Sequence, residues 1–132
     1  LVNTERNLMN ATIWIDVSFS AAHFLPCVAP GHPCRRVHGH NYRLRAWVSG
    51  PVSRGTERVP DGMVVDFEWV RAAVAEVVGQ LDHHDLNTII PNPTAENVAW
   101  WILDKLPPQI CKIELREVEW AGVVLTREDL HG

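Results

Sequence analysis

Polar and apolar residues alternate along the opening run ATIWIDVSF, with Ile13, Ile15, Val17 and Phe19 on one face. That is the period of a half-buried strand. A loop rich in Pro and Gly, LPCVAPGHPC, follows it. A second alternating run begins at Asn41, with Tyr42, Leu44, Ala46 and Val48 on one face and Arg43, Arg45 and Trp47 on the other. After the long turn GPVSRGTERVPDG, the stretch MVVDF reads as a short third strand. Val70, Val74, Val77, Val78 and Leu81 then recur at helical spacing through FEWVRAAVAEVVGQL, behind Asp66 as N-cap. LDHHDLNTIIPNP is a loop, and Thr94 caps a second helix, AENVAWWILDKL, which Pro107 and Pro108 stop. CKIELREVEW and AGVVLTRED close the sequence as a strand pair. Two or three strands, two helices and two strands predict an α+β domain, an antiparallel sheet with both helices on one face.

Bulk properties narrow the classes. At 132 residues the protein fits a single domain, 1–132, with no repeat or linker and with residues 1–11 read as a tail. Apolar residues make up 46% and charged ones 21%, the profile of a folded globular protein. A formal charge of −4 argues against a protein that coats nucleic acid. No apolar run approaches the roughly 18 residues of a membrane helix, and no signal-peptide pattern is visible. Cys27, Cys34 and Cys111 cannot all pair, so free thiols or metal chemistry are expected in a cytoplasmic setting.

Three features carry candidate chemistry. In CRRVHGHNY, His38 and His40 sit at i and i+2 and project from one strand face, where two imidazoles can grip one ion. His23, in FSAAHFL, is the best third ligand, and three histidines leave a tetrahedral Zn²⁺ one open position. Cys34 stands close enough to be a fourth ligand that closes the site. In LDHHDLN, Asp82 beside His83 is either a pair that orients an imidazole for proton transfer or a solvated loop. Glu117 shares a strand face with Ile113 and Leu115, where an apolar side group is expected. An edge position accounts for it, and so does a ligand presenting paired N–H donors.

FSAAHFLP, CRRVHGHNYRLRAWVSG, DGMVVDF, LDHHDLN, PTAEN and LREVEWAG, in that order, resemble the 6-pyruvoyltetrahydropterin and 6-carboxytetrahydropterin synthase family from about Trp14 to Val124. The resemblance implies a tunnelling fold (T-fold), a four-stranded antiparallel sheet with two helices on one side. It also implies a homohexamer, a dimer of trimers, with active sites at subunit interfaces. Carried over by position, His23, His38 and His40 hold zinc, and Cys34 is the catalytic thiol. Asp82 and His83 form a catalytic dyad from a neighbouring subunit, Glu117 anchors the pterin, and Thr94 lies beside the pterin pocket. The implied substrate is 7,8-dihydroneopterin triphosphate, and no nucleic acid or membrane partner is implied.

Three residues separate Cys34 from His38, the spacing of the carboxytetrahydropterin branch. The expected activity is formation of 6-carboxy-5,6,7,8-tetrahydropterin with loss of acetaldehyde and triphosphate, feeding 7-deazapurine and queuosine-type synthesis. Formation of 6-pyruvoyltetrahydropterin and a non-catalytic pterin- or purine-binding module with structural zinc are the alternatives. A hydrolase using Cys34 and His83 leaves the three histidines unexplained. The sequence departs from the family pattern at Val118, where threonine commonly follows the glutamate, and in lacking a late tyrosine after Ala121-Gly122.

Overall fold

The alternating runs fold into a single antiparallel sheet. The structure, a computed structural model, describes residues 9–131. Strands β1 (Asn10–His23), β2 (His38–Pro51), β3 (Ile110–Val118) and β4 (Ala121–Thr126) lie in the order β1-β2-β3-β4, every neighbour antiparallel. Helices α1 (Phe67–Val78) and α2 (Ala95–Lys105) contribute Val70, Val74, Val77 and Val78, and Val98, Ala99, Ile102 and Leu103, to the core on one face of that sheet. This is the predicted α+β architecture.

Strand parity decides which face is buried. Ile13 pairs with Val48, Ile15 with Ala46, Val17 with Leu44 and Phe19 with Tyr42, so all eight side chains share the inner face. Phe19 and Tyr42 stack with ring centroids 4.8 Å apart. On β3, Ile113 and Leu115 continue this layer. A bulge where Lys112 pairs with Trp47 and Ile110 with Val48 lets Ile110 reach the same core despite its opposite parity.

The helices start where the sequence places them. The Asp66 carboxylate accepts the Glu68 amide at 2.8 Å, and the Thr94 hydroxyl accepts the Asn97 amide at 3.1 Å. Each satisfies one orphan donor of a first turn. The far end of α2 is tied down by a residue that periodicity does not single out. The Arg127 guanidinium donates to Leu103 O (2.8 Å), Leu106 O (3.1 Å), Pro107 O (2.6 Å) and Ile110 O (2.9 Å). Its fork thus satisfies carbonyls that the helix leaves open and fastens α2 to the start of β3.

Three expectations differ from the structure. MVVDF is not a strand. Its one backbone bond to Ser53 is Ser53 N to Met63 O, and the other bond there, Gly62 N to Ser53 O, comes from the residue before it. Val64 and Val65 both pack on the core, which strand alternation forbids for neighbours, and Asp66 is committed to the cap. β2 begins at His38 rather than Asn41, because β1 runs far enough to pair His23 with His38. Asn10 and Ala11, expected in a tail, are the first residues of β1. The rest of that tail, residues 1–8, lies outside the described residues.

Two measurements check this packing. Leu44→Ala, at a fully buried site on a central strand, lowers unfolding free energy by about 2–5 kcal/mol in chemical denaturation. Arg127→Lys, which keeps the charge and loses the fork, costs on the order of 2 kcal/mol in the same assay.

Candidate metal centre

The inner-face parity that buries Val17 and Phe19 continues through Ala21 to His23 at the end of β1. Register then sets His23 directly opposite His38, with His40 across from Ala21. Three imidazoles therefore crowd one end of the core face. One nitrogen of each lies within 4.8 Å of the others, a separation from which bonds of roughly 2.0–2.1 Å gather an ion with small shifts of the rings. The His23 ring is 4.5 Å from His38 and 5.1 Å from His40, centroid to centroid.

The hydrogen bonds around the rings favour ligation. His23 Nδ1 lies 2.7 Å from Pro93 O, and His38 Nδ1 lies 2.7 Å from Arg36 O. A carbonyl only accepts, so each Nδ1 carries the proton and each Nε2 keeps its lone pair. His23 is only 1% exposed, and its Nε2 is buried without any hydrogen-bond partner. An orphaned acceptor of this kind costs about 1–3 kcal/mol, which an ion at that point offsets. Burial, the largest effect, pushes the His40 pKa below its ordinary value; His23 and His38 add to it, while Glu117 opposes it. The residues present fit a metal ion.

Glu117 belongs to the same centre. Its carboxylate oxygens lie 4.0 Å from His23 Nε2 and 3.7 Å from His40 Nε2. Tyr42, wholly buried beneath, approaches His23 Nδ1 at 3.4 Å, and burial first, then Glu117, raises its phenol pKa. The carbonyls of Pro93 and Arg36, and Tyr42 beneath, were not among the candidates from sequence. Of these only Tyr42 leaves a sequence signal, since it shares parity with His38 and His40.

The remaining candidates stand apart from the cluster. The close group comprises His23, His38 and His40, and Cys34 is not in it. Cys34 sits in a 3₁₀ turn, Pro33–Arg35, that is fastened on both sides. Leu25 N donates to Cys34 O at 2.7 Å, Cys34 N donates to His32 Nδ1 at 3.0 Å, and the Arg35 guanidinium donates to Val28 O at 2.9 Å. Thr94 spends its hydroxyl on the α2 cap, next to the Pro93 carbonyl that holds His23.

Asp82 and His83 dock on the free edge of β1. Asp82 Oδ1 accepts from Ser20 N at 2.9 Å and lies 2.9 Å from His83 Nδ1, while His83 N donates to Ser20 O at 2.6 Å. The Ser20 amide, then His83, lowers the Asp82 pKa, so the carboxylate stays ionised. His83 adopts φ 59°, a left-handed conformation that is uncommon outside glycine, and its imidazole is 81% exposed. It borders a hollow at the β1 edge with Ser20, Ala21, Ala22, Gly39 and Asn41, and His40 of the histidine cluster lines the same hollow.

A histidine-rich centre on a four-stranded sheet backed by two helices defines a pterin-synthase type of T-fold. The family model for 6-pyruvoyl tetrahydropterin synthase matches residues 12–129, and the chain belongs to that family. An Archaeoglobus fulgidus protein provisionally named 6-carboxy-5,6,7,8-tetrahydropterin synthase is 42% identical over 84% of this chain and 93% of its own. A Synechocystis protein with that name is 39% identical over 71% of this chain and 73% of its own. A Pyrococcus furiosus protein, dihydroneopterin monophosphate aldolase, is 36% identical over 74% and 76%. The solved Caenorhabditis elegans 6-pyruvoyl tetrahydropterin synthase superposes with a TM-score of 0.78 over 91% of this chain and 97% of its own, at 24% identity.

The metal centre is testable by elemental analysis after dialysis against dilute zinc. His23→Ala or His40→Ala abolishes tight binding, whereas Cys34→Ala leaves the metal content intact. Protons compete for the ligand nitrogens, so affinity falls on acidification, and His40, whose pKa burial lowers, stays neutral to lower pH than an ordinary imidazole.

Proposed function

We propose that this protein is a zinc-dependent pterin lyase that converts 7,8-dihydroneopterin triphosphate and water to 6-carboxy-5,6,7,8-tetrahydropterin, acetaldehyde and triphosphate. The observation that carries the reading is the junction of three inner-face histidines with Glu117 in one centre. The names of the relatives at 42% and 39% identity support it, as does the short gap between Cys34 and His38.

His23, His38 and His40 hold the metal. Bound Zn²⁺ supplies Lewis acidity toward the hydroxyl oxygens of the substrate. Glu117 offers two carboxylate oxygens to the paired N–H donors of an amino-pyrimidine edge, a bidentate match. Thr94, beside Pro93, borders the heterocycle. Cys34 is presented by its fastened turn and acts as the general base toward the C–H protons of the hydroxylated substituent on the pterin. His83 exchanges the complementary proton, and Asp82 keeps its imidazole oriented.

The placement of the dyad supports an assembly. His83 sits at the edge of β1 with its imidazole 81% exposed, open to a neighbouring copy, and in this reading it serves the centre of that copy. The β4 edge carries no strand partner among the described residues, and the β1 edge is met by residues 82–85 at Ser20 and Ala22. Three copies joining these edges close a barrel, and two barrels stack into a homohexamer with active sites between subunits. The product enters 7-deazapurine synthesis of the queuosine type, and the enzyme works in the cytoplasm.

One observation favours a second reading. A relative at 36% identity is named dihydroneopterin monophosphate aldolase, so a carbon–carbon cleavage on the monophosphate is the competing activity.

Incubating the zinc-loaded protein with 7,8-dihydroneopterin triphosphate yields acetaldehyde and the carboxylated pterin. Absence of acetaldehyde, with turnover of the monophosphate instead, moves the protein to the aldolase reading. Cys34→Ala and His83→Asn, the latter chosen because asparagine tolerates the left-handed backbone, each lower kcat by about 100-fold or more. In both variants the metal content and the thermal midpoint stay unchanged.

A further inference from the structure

The outer face of the sheet is organised in cross-strand rows, and one row is anomalous. Asp16, Arg45 and Glu114 alternate in sign across β1, β2 and β3. Arg45 makes two hydrogen bonds to Asp16, at 2.8 and 3.0 Å, and its guanidinium lies 3.7 Å over the Trp14 ring. In the next row Arg43 stands directly opposite Arg116. Like charges opposed in a sheet destabilise it, on the scale of roughly 0.2–1 kcal/mol.

Neighbouring carboxylates compensate that charge only in part: Asp16 feels both arginines, but its hydrogen bonds go to Arg45. Arg43 is exposed and makes no hydrogen bond or ion pair among the described residues. Arg116 is held at an angle, with Nε 3.3 Å from a Glu114 oxygen and Nη1 donating to Glu119 O at 3.4 Å. Its stem lies across Gly122, where a Cβ would come within 2.7 Å of Arg116 Cγ. The bare backbone at that position lets the arginine rest there.

The two arginines stand where the sheet opens. Their pair is the last between β2 and β3, and beyond it the strands part around a cleft of about 310 Å³. Arg43 and Arg116 border this cleft together with His40 and Glu117 of the metal centre. Glu117 is turned to the histidines. Glu119 also lines the cleft, so two arginines and two glutamates border it, with the Glu117 carboxylate drawn toward His23 and His40.

We propose that Arg43 and Arg116 form the subsite for the polyphosphate tail of the substrate, which the cleft joins to the pterin end at Glu117. This rests on the pterin reading above. The Arg43 fork offers its five N–H donors, Arg116 adds those not spent on Glu114 and Glu119, and the two charges match a string of phosphates rather than a neutral group. The opposed charges that strain the free sheet become the binding determinant once an anion lies between them.

Calorimetric titration of the intact, zinc-loaded protein tests this with tripolyphosphate and, separately, unphosphorylated dihydroneopterin. In the Arg43→Gln/Arg116→Gln double variant, tripolyphosphate affinity falls tenfold or more and its salt dependence flattens. Affinity for unphosphorylated dihydroneopterin and zinc content stay the same, and the thermal midpoint without ligand does not drop. Unchanged tripolyphosphate binding overturns the proposal, as does an equal loss for the unphosphorylated pterin. If the unaltered protein ignores dihydroneopterin, the pterin reading fails, while the tripolyphosphate titration still decides the anion subsite.

Discussion

Everything at the functional end of this protein depends on the register between β1 and β2. The pairing extends from Asn10 with Pro51 to His23 with His38. Because side chains alternate strictly, a slip of one residue would turn every inner-face group outward. The apolar pairs from Ile13 with Val48 to Phe19 with Tyr42 make that slip prohibitive. They thereby hold His23, His38 and His40 on one side of the sheet. Core and metal centre are consecutive parts of a single face.

Two strand interruptions give that face its chemistry. β2 and β3 part after Arg43 and Arg116, and the opening admits Glu117 to the histidines. On the other side, residues 82–85 meet the edge of β1 near Ser20 and Ala22 and carry Asp82 and His83 outward. A continuous sheet would have covered both places. The left-handed backbone at His83 and the fastened turn at Cys34 likewise hold polar groups where helix or strand would not present them.

Much of this was legible from residue pattern. Strand alternation, both helix caps and the shared side of His38 and His40 follow from local rules acting on local sequence. MVVDF failed because two adjacent valines serve the core there, a tertiary demand that overrides β propensity. The start of β2 was hidden because Gly39 is a poor strand former and only the partner strand extends it. Arg127 left no signal, since its four acceptors are backbone carbonyls spread over Leu103 to Ile110. The proximity of Glu117 to His23 and His40 required the sheet to be built first. Whether His83 meets a centre of its own copy or of another is a matter of assembly, and a linear pattern carries none of it.

The orphaned Nε2 of His23 ties metal occupancy to conformational stability. An ion that binds the folded register and not the unfolded polypeptide shifts the folding equilibrium by mass action. At a free concentration 1,000 times its dissociation constant, the shift is about 4 kcal/mol. Apparent melting temperature is then a reading of the surrounding metal buffer as much as of the protein. A substitution far from the histidines that loosens the β1–β2 register would show first as metal loss. Chelation, in turn, would make mild core substitutions look severe.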